Sequence, residues 1–533
     1  MNIPSVSYGQ KQAARQRVLF NSLEFIFIFL PFSLAAFYGV RWLFPGSSRP
    51  LLVVLLVAST VFYGYWNVDY LWLLAGSVLF NYGCGELLRR YPGKGLLAVA
   101  IAINILLLGI FKYTGFLVTE ISRFFDAGWS APDILLPLAI SFFTFQQIAY
   151  LVDCYRSETA GQGGFLEYAV FVTFFPQLIA GPIVRHTDVA SQFRNRLGSA
   201  FSSPLMAVGI TLFVFGFSKK VIIADSLAPM ADRAFSVVET GMLLSLFEAW
   251  AGLLAFTLQI YFDFSGYTDM ALGLAAMFGI SLPVNFRSPY KARSIIDFWR
   301  RWHITLSTFL RDYLYIPLGG SRGASYRRYV NLLIVMLIGG LWHGAGWTFV
   351  FWGAAHGLML CLNHFWVRSV ADNRLVFPRV AGWCLTFAGV ALAWVLFRAE
   401  TLPGASVMYA SLAGFGGVAI PQTIVTGLPD MLGSVFAVVG GPVQWDGERV
   451  FQARDLMILM ASFGLCLLMP RLDEVLSILK HDRVFGGGRV RGLVLTVQDS
   501  RTTGILCGVA ISAMLWIGVL SAVRDRTFLY FQF

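Results

Sequence analysis

Two histidines in this chain sit where an imidazole could move a proton. His343 lies in "GGLWHGAGW", Gly339 to Trp347, between Trp342 and Trp347 and among four glycines. An imidazole titrates near pH 6.5 when unperturbed and suits general-base work at neutral pH (about 6.5 is the only side-chain value in that range). The apolar run that leads to it begins near Tyr329, and at ~1.5 Å per residue it has climbed only about 15 Å by Gly339. That is half of a hydrocarbon core of about 30 Å. Glycine weakens a helix and permits close backbone approach. The spacing therefore predicts a helix broken over Gly339–Gly346 at membrane depth, which is tolerated only where the backbone is buried in protein or lines a cavity. An ionisable side chain at such a place is a functional candidate, with a structural histidine bridging helices as the other reading.

His303 lies in "DFWRRWHITLSTFLRDYLYIPLGG", Asp297 to Gly320. Ser294-Ile-Ile-Asp297 has capping-box spacing, so a helix is expected to start there. Trp299, Trp302, His303, Leu306 and Leu310 then share one face, with Arg300, Ser307 and Arg311 as a polar stripe beside it. Such a helix is too charged to face lipid. It lines a water-filled cavity or lies at the interface with its arginines among headgroups, and charge alone leaves both open. "QIYFDFSGYTDMALGL" adds Asp263 and Asp269, which do not share a helix face. Each needs a cationic or hydrogen-bonding partner, for which the Arg300/Arg301 region is a candidate, and a structural ion pair is as open as direct chemistry.

Other patterns carry less. Gly319-Gly-Ser321-Arg-Gly323 spells a nucleophile elbow without its strand. Gly414-Phe-Gly416-Gly-Val-Ala419 spells a dinucleotide loop without its βαβ unit. His356 and His364 are too far apart along a helix to share a zinc, and no metal site is expected. His186 and His481 fall in polar connectors and read as solvated. The six cysteines lie far apart, mostly in apolar runs, and read as small buried hydrophobes.

The elements that must position these residues are apolar helices. The chain is 57% hydrophobic and only 13% charged, about half the charge of a soluble domain. Apolar runs recur at Phe25–Phe44, Leu51–Trp66, Leu71–Leu88, Leu96–Phe111, Leu135–Val152, Leu205–Ile223, Leu243–Phe262, Leu332–Leu341, Trp347–Leu362, Val380–Phe397, Leu456–Met469 and Gly504–Val523. Several are short, so roughly 11–14 spans with tilted or re-entrant members are expected. The net charge of +11 comes from small basic clusters between these runs, which fits contact with membrane lipids and topology control rather than nucleic acid. Glu400 to Arg454 is weakly apolar and suits short interfacial helices, and 471–501 reads as a polar loop. Basic clusters on successive connectors disagree about orientation.

Together these stretches resemble the membrane-bound O-acyltransferases, in the bacterial branch that contains the alginate O-acetylation membrane protein. The resemblance rests on "LFNSLEFIFIFLP" from Leu19, "LPLAISFFTFQQIAYLVDCYR", "FPQLIAGPIVR", the long stretch from "QIYFDFSGYTDM" to "YIPLGG", "GGLWHGAGWTFVFWGAAHG", "WVLFRAE" and the terminal "FLYFQF". It runs from Leu19 to Glu400 plus the terminus, and 401–503 match loosely. It implies an all-α polytopic fold, a ring of tilted and re-entrant helices around a central funnel or tunnel. Residues 1–18 would be an N-terminal extension, with Val18 an alternative start, and 19–533 a single domain. The family's histidine in "LWHG" maps onto His343 and the one in "WHIT" onto His303, so these are the catalytic candidates. Asp263, Asp269, Arg300, Arg301, Trp302, Trp342 and Trp347 are the supporting or tunnel-lining ones.

The activity so implied is O-acetyl transfer in the bacterial cytoplasmic membrane. No bound cofactor is expected, and acetyl-CoA or another acyl thioester is the donor. The acceptor is an exopolysaccharide, reached directly or through an extracytoplasmic esterase-like partner. Transport without acyl chemistry and D-alanyl transfer to an envelope polymer are the alternatives.

Overall fold

The computed structural model describes residues 20–156, 163–195, 197, 202–322, 324–370, 378–418, 451, 453–470 and 512–521. Among them every regular element is helical. In chain order these are α1 (Phe25–Leu43), α2 (Arg49–Trp66), α3 (Leu71–Arg90), α4 (Lys94–Lys112), α5 (Thr114–Phe125), α6 (Ile140–Tyr155), α7 (Phe165–Thr173), α8 (His186–Asn195), α9 (Ser203–Ser218), α10 (Asp225–Glu239), α11 (Leu246–Met277), α12 (Ile295–Trp299), α13 (Ile304–Leu310), α14 (Ser325–His343), α15 (Trp347–Val370), α16 (Arg379–Arg398), α17 (Leu402–Leu412), α18 (Ala453–Leu468) and α19 (Ser512–Ser521). Among the described residues six stretches are long and apolar enough to cross a membrane, against the roughly 11–14 spans expected for the whole chain: Phe25–Leu43, Arg49–Trp66, Val68–Arg90, Lys94–Lys112, Ser203–Glu239 and Arg379–Arg398. The chain is a multi-pass, all-α membrane protein. The expected polar loop at 471–501 lies outside the described residues, as does most of 401–454; within the latter, α17 is a short helix capped by Thr401, whose hydroxyl accepts from the Gly404 N–H at 3.0 Å.

The chain folds as two compact units. One comprises 20–221, 264–285 and 512–521, the other 222–263 and 286–470. In the first unit α3, α4 and α6 are joined by side chains that could not face lipid singly. Asn81 and Asn104 exchange hydrogen bonds at 2.8 and 3.1 Å. The Asn81 amide also donates to Gln147 Oε1, which accepts from Ser77 Oγ at 2.9 Å. Each such bond between membrane helices stabilises by about 0.6 kcal/mol on average, and together they fix helix register.

The same unit shows why four glycines recur at seven-residue spacing. Gly209 and Gly216 on α9 meet Gly273 and Gly266 on α11. A Cβ on Gly266 would stand 2.7 Å from the Gly216 carbonyl oxygen, and one on Gly273 2.5 Å from that of Gly209. Only glycine lets two backbones approach this closely. One turn beyond the crossing, Lys219 Nζ pairs with Asp269 at 2.6 Å. The partner of Asp269 is therefore Lys219 and not the Arg300/Arg301 region, because the glycine crossing brings Lys219 within reach.

Candidate active site

In the second unit α14 and α15 form a hairpin whose backbones touch. A Cβ on Gly340 would stand 3.2 Å from Gly353 Cα, and one on Gly353 3.1 Å from Leu337 Cα. The helix runs unbroken through Gly339 and Gly340 to His343, so the expected break is shorter than Gly339–Gly346. Contact with a neighbouring helix offsets the weak helix propensity of this glycine pair. The chain leaves the helix only at Gly344, whose backbone is extended at φ −157°, and α15 begins at Trp347.

His343 is thus the last residue of α14. Its ring stands edge-on to three aromatic rings: Trp342 at 4.9 Å, Trp352 at 5.1 Å and Phe397 at 5.2 Å between centroids. It is 6% exposed.

His303 also departs from expectation. The Ser294 cap is present, its hydroxyl accepting from the Asp297 N–H at 3.1 Å. The helix it starts ends after five residues, at Trp299, and a second starts at Ile304. His303 caps that second helix with φ +41°, in the left-handed region. This costs a non-glycine residue of order 1–3 kcal/mol and persists only where the surroundings hold it (about that range is typical). Here the imidazole is fully buried, and its carbonyl accepts from the Ser307 N–H at 3.0 Å. The break rotates His303 off the face it would share with Trp302 and brings it to Trp342, 6.1 Å away between centroids. Both histidine rings therefore lie against one indole, that of Trp342.

Behind them stands an aromatic frame. Trp302 is buried, stacked on Phe298 at 5.6 Å and against Trp394 at 5.0 Å. Tyr290 ties this frame together. Its hydroxyl donates to the Thr257 carbonyl at 2.7 Å and accepts from Trp394 Nε1 at 3.0 Å, and its carbonyl accepts from Trp383 Nε1 at 2.8 Å.

A third histidine, too far from His364 along the helix to share a zinc with it, belongs here. His356 is fully buried on α15, 4.7 Å from Trp352 and 5.3 Å from Trp299 between centroids. Trp352 and His356 are one helical turn apart, and that i, i+4 spacing was the available signal.

The remaining candidates are placed as follows. Asp263 is buried on α11. Arg301, in the break after α12, turns back on that helix, Nε to Asp297 Oδ1 at 2.9 Å. Arg300 is exposed at the end of α12. Trp347, at the start of α15, is 47% exposed.

His186, read as solvated, is buried in the first unit against Tyr150 and Phe171, 5.4 and 5.3 Å between centroids. It opens the short α8, outside the candidate spans. Burial, with the Arg194 charge adding to it, pushes its imidazole down to about 4. Burial raises the neighbouring Asp188 carboxyl, against a hydrogen bond from the Arg185 N–H.

Chemically, a buried imidazole at a helix end, followed within a few residues by the N-terminal N–H groups of another helix, joins a proton acceptor to donors suited to a developing oxyanion.

A sequence model of the membrane-bound O-acyltransferase family matches residues 156–401, which contain His303, His343 and His356. A peptidoglycan O-acetyltransferase of Helicobacter pylori is 42% identical over 433 residues, covering 76% of this chain and 81% of the relative. A probable alginate O-acetylase of Azotobacter vinelandii is 44% identical over 410 residues, covering 75% and 79%. A teichoic acid D-alanyltransferase of Bacillus subtilis is 28% identical over 237 residues, covering 43% and 59%.

Proposed function

Because this chain belongs to the membrane-bound O-acyltransferase family, and is accordingly a membrane acyltransferase, we infer that it moves an acetyl group from acetyl-CoA or another acyl thioester onto a hydroxyl of a bacterial envelope polysaccharide, at the cytoplasmic (inner) membrane. The convergence of His343 and His303 on Trp342 carries this reading.

His343 takes the proton of the acceptor hydroxyl as general base. The freed oxygen bonds to the thioester carbonyl carbon, and the carbonyl oxygen gains negative charge that backbone N–H groups at the start of α15 stabilise. The carbon–sulfur bond then breaks. The departing thiolate takes the proton back from the imidazolium, so atoms and charge balance. His303 and Trp342 position the donor and the His343 ring. The acceptor hydroxyl belongs to the polysaccharide or to an extracytoplasmic, esterase-like partner that passes the acetyl group on.

Acetyl is favoured over D-alanyl transfer by similarity. The O-acetylating relatives match about three-quarters of the chain at 42–44% identity, the D-alanyl transferase less than half of it at 28%. Transport without acyl chemistry, which a broken helix alone would also suit, gives way to family membership.

The test is to reconstitute the purified protein in liposomes with radiolabelled acetyl-CoA, polysaccharide acceptor and the candidate partner. Label should appear as base-labile ester on the polysaccharide. Label that crosses the bilayer while still attached to its carrier would support transport instead.

A further inference from the structure

We propose that the groove between α1 and α2, in the first unit, binds one phospholipid that bears a primary ammonium, with acyl chain in the groove and the ammonium on Glu24.

The groove follows from two rows of side chains. Residues four apart line up along one face of a helix. On α1 that row includes Ile28 and Phe32, and on α2 it includes Val57, Val61 and Tyr65. These five side chains form the walls, and each is more than half exposed. The floor is aromatic and packed. Phe62, which is buried, lies 5.7 Å from Phe25 and 5.5 Å from Phe29 between centroids. The first turn of α1 is π-helical, the Leu30 N–H donating to the Phe25 carbonyl, a wider turn that is frequent at functional sites.

Length and section select the occupant. The groove runs from Glu24 to Ala36, about 18 Å at the helical rise. One leaflet contributes half of a hydrocarbon core of about 30 Å, so the groove has the length of a single leaflet's acyl chain. It holds about 600 Å³, which over that length is about 33 Å² in cross-section. A helix with its side chains is about 10–12 Å across, or roughly 80–110 Å². The space therefore takes extended acyl chain and not a helix.

The groove carries charge at one end only. Antiparallel packing sets Glu24 at the same end as Tyr65, just before the α1 span and in the last turn of the α2 span. That is the level where tyrosine meets headgroups. The other end closes on Ala36 and Val53. Glu24 makes no ion pair with a described residue. Asp69 precedes α3 at the same end, whereas Arg41, Arg49, Arg89 and Arg90 stand at the opposite end of these three helices. Such a mouth repels an anionic head and attracts a cation. A primary ammonium has N–H donors for the carboxylate, which a quaternary one lacks. The Tyr65 hydroxyl at this end supplies a donor for the phosphate that follows.

The test uses the full chain, delipidated in mild detergent. It is titrated with phosphatidylethanolamine, phosphatidylcholine and phosphatidylglycerol of identical chains, each with a diazirine in one acyl chain. Bound lipid is counted by native mass spectrometry, and labelled peptides are mapped after illumination. Phosphatidylethanolamine should bind at least about tenfold more tightly than the other two, as one charge-assisted hydrogen bond implies, and should label α1 and α2. Glu24→Gln should bring it to the phosphatidylcholine level and leave the labelling in place. Val57→Trp, which fills the groove from an exposed position, should lower labelling of α1 and α2 by all three lipids several-fold. Should Val57→Trp fail to fold, Glu24→Gln decides alone.

Equal binding of the three lipids overturns the proposal, as does a preference that survives Glu24→Gln or labelling spread evenly over the lipid-facing helices. A photoreactive amino acid placed at Val57 gives the last arm in whole cells. Cross-linking there to another membrane protein in place of lipid makes the occupant a partner helix, and the lipid site falls.

Discussion

At the scale of single residues, His343 and His303 share Trp342, but their positions assign them different work. His343 ends a helix beside a chain break and keeps a small accessible surface; His303 is sealed at a strained backbone position. His343→Ala should cut transfer by at least about 100-fold, the ordinary worth of a general base, with unchanged membrane insertion. His303→Ala should instead raise KM for the thioester and lower the apparent melting temperature, measured on the same preparation. A His303 variant with normal KM and stability would remove the positioning role.

His343 was legible in the sequence because a histidine among glycines and tryptophans within an apolar run is chemically out of place. For His356 the sequence offers only the i, i+4 spacing from Trp352, and "WGAAHG" reads as ordinary helix until Trp299, which comes from another element, is brought against it.

At the scale of elements, glycine decides which helices may touch. Gly216→Leu should destabilise the α9–α11 crossing by about 1–3 kcal/mol, the usual cost of overpacking, seen as a lower melting temperature in detergent. Normal melting would mean that the crossing yields at no cost. The ion pair beside it makes a second prediction. Lys219→Met leaves Asp269 buried without its cation and should cost about 3–5 kcal/mol, while Lys219→Met with Asp269→Leu should recover most of the loss. A double variant no better than the single one would show that the pair matters for more than its own charge balance.

The apolar runs located most of the described helices, which include the six stretches long and apolar enough to cross a membrane. Local pattern placed a single helix across His303, where tertiary contacts impose a left-handed residue, and it put the glycine break at Gly339, where contact with Gly353 keeps the helix whole. Both differences come from neighbours distant in sequence, which a local pattern does not register.

At the scale of the whole molecule, stability should depend on pH through the first unit. His186 titrates near 6.5 in an unfolded chain and near 4 when buried. Between those values the unfolded state binds the proton and the folded state does not. Stability from this group is therefore present above about pH 6.5 and lost as pH falls toward 4, by on the order of 3 kcal/mol in full. Melting temperature measured from pH 7.5 to 4.5 should fall more steeply for the wild type than for His186→Phe. Parallel curves would show that His186 does not carry the dependence.

Acetyl transfer as proposed turns on His343 accepting the acceptor's proton. The most direct measurement is a single-turnover assay in proteoliposomes, with labelled acetyl-CoA or acetyl carrier protein, comparing the wild type with His343→Ala at equal donor occupancy. The expected result is full donor binding in both and transfer of label only in the wild type. Transfer by His343→Ala at a rate near that of the wild type would contradict it.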